Sequence, residues 1–363
     1  MRDRYDVIVV GARVGGSTLT ALLGDAGVSV LLLDRARFPS TTCSTHFFRG
    51  AGMVGVLDRL GVLDAVLALG CPPLTREFNY ADGGTEPSEA PPQDPGKIGY
   101  CLSVRREPLD FILLERARVA SSVDFAERTS VSDLLWNGDR VVGVQLADGR
   151  SAHAEIVVGA DGRHSLVARK VTPAMEHETP PYRALYYRYV SGFLGPDGGQ
   201  PDAAEFSVLD DEIAYIFPSD SGLTCVAVSV NLETFRWLRQ DFEARYAERI
   251  GQHGGLARRV AAAEVDGRLS GCGPERNYVR VPWGPGWALV GDAALHQDPW
   301  SGRGIDMASV HATFLAEAIL DALQGSADQR TALTRYQERR NAHGLGAYHD
   351  TVGFAADLRA LEK

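Results

Sequence analysis

The stretch DVIVVGARVGGSTLTALLGDAGVSVLLLD, residues 6–34, decides the fold of the whole chain. Asp6–Val10 is a bounded apolar run, the pattern of a strand buried on both faces. Gly11-Ala12-Arg13-Val14-Gly15-Gly16 follows as a tight glycine turn. Ser17–Ala26 has helical spacing, and Val28–Leu33 is a second buried strand ending on Asp34. One βαβ unit with a right-handed crossover is predicted. In such a turn the first glycine permits the bend, the second admits a pyrophosphate to the backbone, and the third lets helix pack on strand. Gly11 and Gly16 hold the first and third places and Arg13 the second. The N–H groups of Val14 and Gly15 and the helix dipole then face the phosphates, with the Arg13 side chain beside the ligand. Asp34, 18 residues past Gly16, stands where a carboxylate accepts both ribose hydroxyls, and Arg35 and Arg37 follow it.

Bulk properties narrow the class. At 363 residues the chain is long enough for about two domains. Net charge is −10, from 47 acidic and 37 basic residues, with no concentrated basic face, so nucleic acid is not expected as a partner. Five scattered cysteines, Cys43, Cys71, Cys101, Cys225 and Cys272, show no CxxC spacing; neither a metal site nor a disulfide framework is expected. The run Val7–Val10 is too short for a signal-peptide core, and no apolar stretch reaches 18 residues, so no stable membrane insertion is expected. A cytoplasmic location follows from these readings.

Farther along, helices are predicted over Ala51–Leu60, Leu63–Leu69 and Pro108–Ala120. A meander is predicted from Val131–Leu135, Arg140–Leu146 and Arg150–Val158, with turns at Asn137-Gly138-Asp139 and Asp148-Gly149. Ala184–Val230 alternates and is aromatic-rich, an antiparallel sheet with Leu194–Asp202 as an internal loop. Trp287–Gly291 regains buried-strand character before a helix over about Gly304–Leu323, and the tail from Gln329 is amphipathic and helical. The fold class is α/β, a Rossmann-like dinucleotide domain (1–74, 98–174, 275–325) interleaved with an antiparallel-sheet substrate domain (75–97, 175–274) and followed by a helical segment (326–363).

Two more motifs follow buried strands. Gly159-Ala160-Asp161-Gly162-Arg163-His164-Ser165 puts Asp161 at a strand end, either in a ligand crevice or as the cap of a helix. Gly291-Asp292-Ala293-Ala294 leads into Asp298-Pro299-Trp300-Ser301-Gly302-Arg303-Gly304 and the long helix. Asp292 suits polyol hydroxyls, and the helix starting at Gly304-Ile305 points its positive end at whatever precedes it.

In this order and spacing the three motifs, with Arg106-Glu107-Pro108-Leu109-Asp110, resemble the group A flavoprotein monooxygenases of the para-hydroxybenzoate hydroxylase fold and their geranylgeranyl reductase-like relatives. The likeness implies one extended FAD, with Arg106 reaching its phosphates and Gly11, Arg13, Val14, Gly15, Gly16, Asp34, Arg35, Asp161, Gly162, Gly291, Asp292, Gly302, Gly304 and Ile305 along it. NADPH or NADH is expected as a transient reductant. Cys43-Ser44-Thr45-His46 aligns with the loop crossing the flavin; the reductase branch has Cys-Gly-Gly there, and this chain keeps only the cysteine. The implied reaction is monooxygenation: NAD(P)H reduces the flavin, O2 adds at C4a, and the resulting hydroperoxide hydroxylates or epoxidises an apolar or aromatic molecule of the kind met in secondary metabolism. The alternative is an FAD-dependent reductase or dehydrogenase acting on a C=C or C–C bond without oxygen. His46, Pro299 and Trp300 are the catalytic candidates, His46 equally a hydrogen-bonded packing residue. Tyr186, Tyr187, Tyr189, Tyr215 and Phe217 are candidates for the substrate pocket or for sheet core. Halogenases of this fold carry Trp-x-Trp-x-Ile-Pro and a catalytic Lys, and this chain has neither. A monomer or homodimer is expected.

Overall fold

A computed structural model describes residues 2–44 and 46–362. Its first sheet is built on five mutually parallel strands in the spatial order Trp287–Leu289, Ser151–Gly159, Arg4–Val10, Val30–Leu33, Val123–Ala126. Val7, Ile8, Val9, Leu32 and Val157 are fully buried, because helices and a meander cover both faces of this sheet. The meander is Val131–Asn137 and Arg140–Leu146, the latter antiparallel to Ser151–Gly159. From Arg4–Val10 the chain runs first to one side and later returns on the other, so strand order reverses between Val10 and Gly159, which lie side by side. Open α/β sheets bind their ligands at the carboxyl ends of strands at such a reversal.

The helix after the first strand is Val14–Asp25, preceded by Arg13, which makes no side-chain cap. Its first amides are left for another acceptor. The long helix Gly304–Leu323 matches its expected range, and the tail forms Gln329–Ala355 followed by a short turn Leu358–Glu362. Among the described residues no helix is long and apolar enough to cross a membrane.

The second sheet has seven strands in the order Glu264–Cys272, Arg183–Ser191, Leu223–Asn231, Glu212–Pro218, Ala203–Leu209, Arg76–Tyr80, Ser88–Ala90. All neighbours are antiparallel except Ala203–Leu209 and Arg76–Tyr80, which run parallel. Helices Leu232–Leu238, Phe242–Gln252 and Gly254–Ala262 pack on one face; the sequence reading had no helix there. Successive residues of a strand point to opposite faces. Tyr186 therefore lies on the helix-covered face, with its ring 4.9 Å from Phe242 and 6.2 Å from Phe235, and it is not a pocket residue. Tyr187, Tyr215 and Phe217 belong to the other face, toward the first sheet. A third, small sheet of Met175–Thr179, Asn277–Arg280 and Leu295–His296 joins the two.

One covalent link ties the layers. Cys43, in the loop after the second parallel strand, is bonded to Cys272 at the end of the outermost strand of the seven-stranded sheet, 229 residues away in sequence. The expectation that no disulfide forms is corrected here. Cysteine spacing reveals local pairs, and this pair is made local only by the fold. Cys71, Cys101 and Cys225 are free and buried. Denatured protein that has never met a reductant should therefore titrate three thiols, and five after reduction; five before reduction would remove the crosslink.

Candidate functional site

The site begins where Gly11 meets Ala160. Gly11 has φ +107°, and a Cβ there would fall 2.4 Å from the Ala160 carbonyl oxygen. A Cβ on Gly16 would come within 1.7 Å of the Gly11 carbonyl oxygen. Both positions demand glycine, whereas Gly15 faces Val290 and Ala308 at an ordinary 3.6 Å. Asp34 braces the turn, one carboxylate oxygen accepting from the Ala12 N–H and the other from Ala36 N–H, each at 2.8 Å. Each oxygen keeps a second lone pair for a ribose hydroxyl. Arg35 is exposed beside it.

Arg13 and Arg106 converge on one carboxylate. Arg13 donates to Asp110 at 2.7 Å and to Ser40 and Thr41, and lies over the Phe38 ring. Arg106 donates to both Asp110 oxygens at 2.9 and 3.0 Å. Asp110 is fully buried. Two guanidinium groups on one carboxylate leave a surplus positive charge beside uncapped helix amides, a setting that favours an anion. Arg106, expected on the phosphates, holds Asp110 through Nε and Nη2.

The two aspartates at strand ends differ. Asp161 accepts from the Ser165 hydroxyl and from the Leu166 and Val167 N–H groups, so its carboxylate starts the helix Leu166–Val171. What it offers a ligand is the placement of Ala160 and of Gly162, whose φ is +77°. Asp292 sits in the turn Gly291–Ala293, half-buried, and its carboxylate makes no hydrogen bond to the described residues. Its backbone carbonyl accepts from the Tyr278 hydroxyl at 2.7 Å. Asp292 therefore keeps acceptor capacity at the mouth of the crevice.

Beyond it the chain makes the turn Pro299–Ser301 and, through Gly302 at φ +64°, enters the long helix at Gly304 with Ile305 buried. Three elements hold this turn. The Tyr215 hydroxyl donates to the Trp300 carbonyl at 2.6 Å, and the Trp300 indole N–H donates to the Thr351 carbonyl at 2.8 Å. Arg49 donates to the carbonyls of Ser301 and Gly302 at 3.0 and 3.2 Å and to Asp306 at 3.2 Å. Asp306 also accepts from the N–H groups of Arg49 and Met53 at 3.0 and 2.9 Å. Arg49 and Asp306 are both buried, and no motif singled them out. Their only sequence signal is polarity within apolar surroundings, shared with many surface residues.

Cys43, Ser44 and His46 bring the loop across this face; Thr45, expected to touch the cofactor, lies outside the described residues. Ser44 accepts from the His46 N–H at 3.1 Å. His46 is buried at φ +66°. Below it, Phe217 stacks on Phe47 at 4.8 Å, and Tyr187 meets the imidazole edge-on at 5.0 Å. Burial, reinforced by Arg106, pushes the imidazole down to about 3, so it stays neutral. Burial also raises Asp298, whose carboxylate accepts from the Trp300 N–H, to about 6.

Several buried polar atoms here have no hydrogen-bond partner among the described residues: His46 Nδ1, Arg49 Nε, both amide atoms of Gln297, and Ser301 Oγ. Buried polar groups are normally paired. A ligand rich in donors and acceptors fits this set and the glycine cradle, and FAD is such a ligand. Among the described residues no group of three or more His, Cys, Asp or Glu can hold a metal ion.

A glycine cradle, a surplus guanidinium and an unspent strand-end carboxylate, roofed by an aromatic sheet, describe a flavin-dependent oxidoreductase. Residues 4–350 match the FAD binding domain family, and the chain belongs to it. It is 27% identical over 350 residues to digeranylgeranylglycerophospholipid reductase 2 of Methanothermobacter thermautotrophicus, covering 93% of this chain and 83% of that protein. It is 26% identical over 377 residues to the FAD-dependent monooxygenase asqG of Emericella nidulans, covering 92% of this chain and 64% of that one. Among solved structures, the myxobacterial chondrochloren halogenase CndH superposes with a TM-score of 0.84 at 25% identity, covering 97% and 84% of the two chains. PqsL of Pseudomonas aeruginosa, described as a probable FAD-dependent monooxygenase, gives 0.80 at 24%, covering 97% and 94%, a likeness of fold.

Two measurements check these energetics. Asp306→Ala removes the buried counter-charge of Arg49 and the acceptor of two amides, so it should cost about 3 kcal/mol in denaturant unfolding. Arg49→Met leaves the Asp306 carboxylate its two amide donors and should cost less; equal losses would contradict the arrangement. Asp298 has a folded value above the unfolded one, so its protonated form favours the fold at low pH. That contribution fades as pH rises from about 4 to about 6. The difference is worth about 3 kcal/mol over the full window. Asp298→Asn should therefore gain stability relative to wild type as pH rises from 4 to 7 in thermal melts, and a pH-independent difference would refute the buried acid.

Proposed function

We propose that this flavoenzyme is an NAD(P)H- and oxygen-dependent monooxygenase that hydroxylates or epoxidises an apolar or aromatic small molecule. The observation that carries the reading is the aromatic floor under His46 and Trp300. Tyr187, Tyr189, Tyr215 and Phe217 occupy one face of the seven-stranded sheet, with Phe47 and Phe206 packed against them. Such a lining excludes water and accepts an apolar ring.

Bound FAD supplies two-electron transfer and oxygen activation. The chain's own residues hold and orient it. The Gly11–Gly16 amides and the surplus charge of Arg13 and Arg106 receive the pyrophosphate, Asp34 the ribose, and Asp292 the ribityl hydroxyls. The positive end of the Gly304–Leu323 helix favours negative charge on the ring edge. Pro299, Trp300 and Gly302, fixed by Tyr215 and Arg49, shape the cavity wall. Arg163, Arg276 and Arg280 line a groove of about 650 Å³ together with Glu178 and Glu275, which pair with Arg276 and Arg163; of the three, Arg280 is the cation left to favour an anionic nicotinamide nucleotide there.

The alternative, a reductase acting on a C=C bond, draws support from the archaeal reductase relatives. Against it, Cys43 is bonded to Cys272 and Ser44 follows where the reductase branch has glycine. NAD(P)H oxidation by the FAD-loaded protein, with oxygen uptake and peroxide release followed across an aromatic panel, separates the two. Oxygen uptake stimulated by one compound with little peroxide is expected; oxygen-independent turnover adding two hydrogens to the product would replace this reading by the reductase.

A further inference from the structure

Tyr189 was expected to meet substrate, yet its hydroxyl lies 2.9 Å from His46 Nε2. Among the described residues this imidazole nitrogen is the one hydrogen-bond acceptor facing that hydroxyl. The phenol is well placed to be held there. Its ring lies under the Arg105 guanidinium, 6.0 Å from the centroid, and Arg105 is anchored to Asp220 through its backbone N–H at 2.7 Å and its Nε at 2.8 Å. The other imidazole nitrogen, Nδ1, is buried and has no hydrogen-bond partner among the described residues. The backbone that carries the ring is held in place. The His46 backbone is left-handed, its carbonyl accepts from the Val104 N–H at 3.1 Å, and Phe47–Phe48 pair with Leu102–Ser103 immediately after it.

We infer that Tyr189 is a positioning residue which donates its hydroxyl proton to His46 Nε2, fixes the proton of the neutral imidazole on Nδ1, and so presents an N–H donor to an acceptor atom of the bound flavin. The logic is one of proton bookkeeping. Burial keeps the phenol protonated and the imidazole uncharged, so the pair holds two protons. One lies between Oη and Nε2. If Nε2 carried it toward Tyr189, the phenolic proton would need an acceptor of its own, and the described residues provide none. The remaining imidazole proton then sits on Nδ1, where a buried donor without a partner is unfavourable by about 1–3 kcal/mol until a ligand accepts it. A neutral donor of this kind keeps its role across the working pH range, since the imidazole does not titrate there. The flavin half of this inference rests on the FAD reading above; the tautomer half does not.

The experiment is a long-range ¹H–¹⁵N correlation spectrum of protein labelled with ¹⁵N-histidine, with and without added FAD. His46→Gln assigns the resonances. The expected pattern for His46 is protonated Nδ1 and unprotonated Nε2, reverting to Nε2–H or to an exchanging mixture in Tyr189→Phe. Wild-type His46 protonated on Nε2, or a Tyr189→Phe spectrum unchanged from wild type, would overturn the role of Tyr189. FAD binding, followed independently by quenching of flavin fluorescence, should shift the Nδ1–H resonance. Bound FAD without that shift overturns the flavin contact. Absence of FAD binding overturns the functional reading and leaves the tautomer result standing. Tyr189→Phe should also weaken FAD binding several-fold while the thermal transition stays close to wild type, whereas a merely structural tyrosine would lower both together.

Discussion

The Asp306 carboxylate is the point on which the site hangs. It collects the backbone of Arg49 and Met53 and the Arg49 guanidinium, which in turn grips the carbonyls of Ser301 and Gly302. The loop that carries His46 and the turn that carries Pro299 and Trp300 are thereby fixed against each other at the start of one helix. Even the neighbouring glycine is explained: a Cβ at Gly52 would lie 2.2 Å from an Asp306 oxygen. A buried ion pair adds little net stability over an apolar pair, but losing one partner is expensive. Its value here is geometric, since it admits one arrangement of loop, turn and helix.

Legibility in the sequence followed the range of the forces involved. The first strand, its glycine turn and the Gly304–Leu323 helix were readable because their signals are local: a buried run, a steric demand for glycine, a sustained helical period. The steric demand at Gly11 was readable even though its cause, the Ala160 carbonyl, is 149 residues away, because close approach leaves a glycine behind as its mark. Contacts that leave no such mark were missed. Cys43 and Cys272 look like isolated cysteines, and Arg49 and Asp306 like surface charges, until the fold brings them together. The helices over 232–262 escaped because short, mainly polar segments resemble loops. Tyr186, left open between pocket and sheet core, is core on the helix-covered face; an aromatic run shows that a strand is buried without saying which face meets the cofactor.

Asp161 and Asp292 show why a motif and a role are different things. Both follow a buried strand, and both stand beside a glycine in positive φ. Asp161 is saturated by its own helix start, and burial raises its pKa above the ordinary carboxylate value. Asp292 remains partly exposed with its lone pairs uncommitted. The first shapes the backbone around a ligand; the second can bind one. Sequence contains the pair, and only hydrogen-bond accounting separates them.

The same accounting explains why the crevice is unfinished as protein alone. Among the described residues, Nδ1 of His46, the Gln297 amide and Ser301 Oγ are buried without hydrogen-bond partners, and the uncapped amides after Arg13 face a surplus of positive charge. Each is costly in isolation, and together they would weigh against the fold if nothing answered them. A long polyanionic ligand with a flat polar ring at one end answers all of them at once. Of the unpaired atoms, those of His46 and Ser301 lie on the loop and the turn that the Arg49–Asp306 pair holds in register. The energy that keeps those elements rigid is thus the same energy that keeps the unmet donors and acceptors aimed at one ligand. Binding of that ligand must then stabilise the fold, by an amount that grows with the logarithm of free ligand concentration above its dissociation constant.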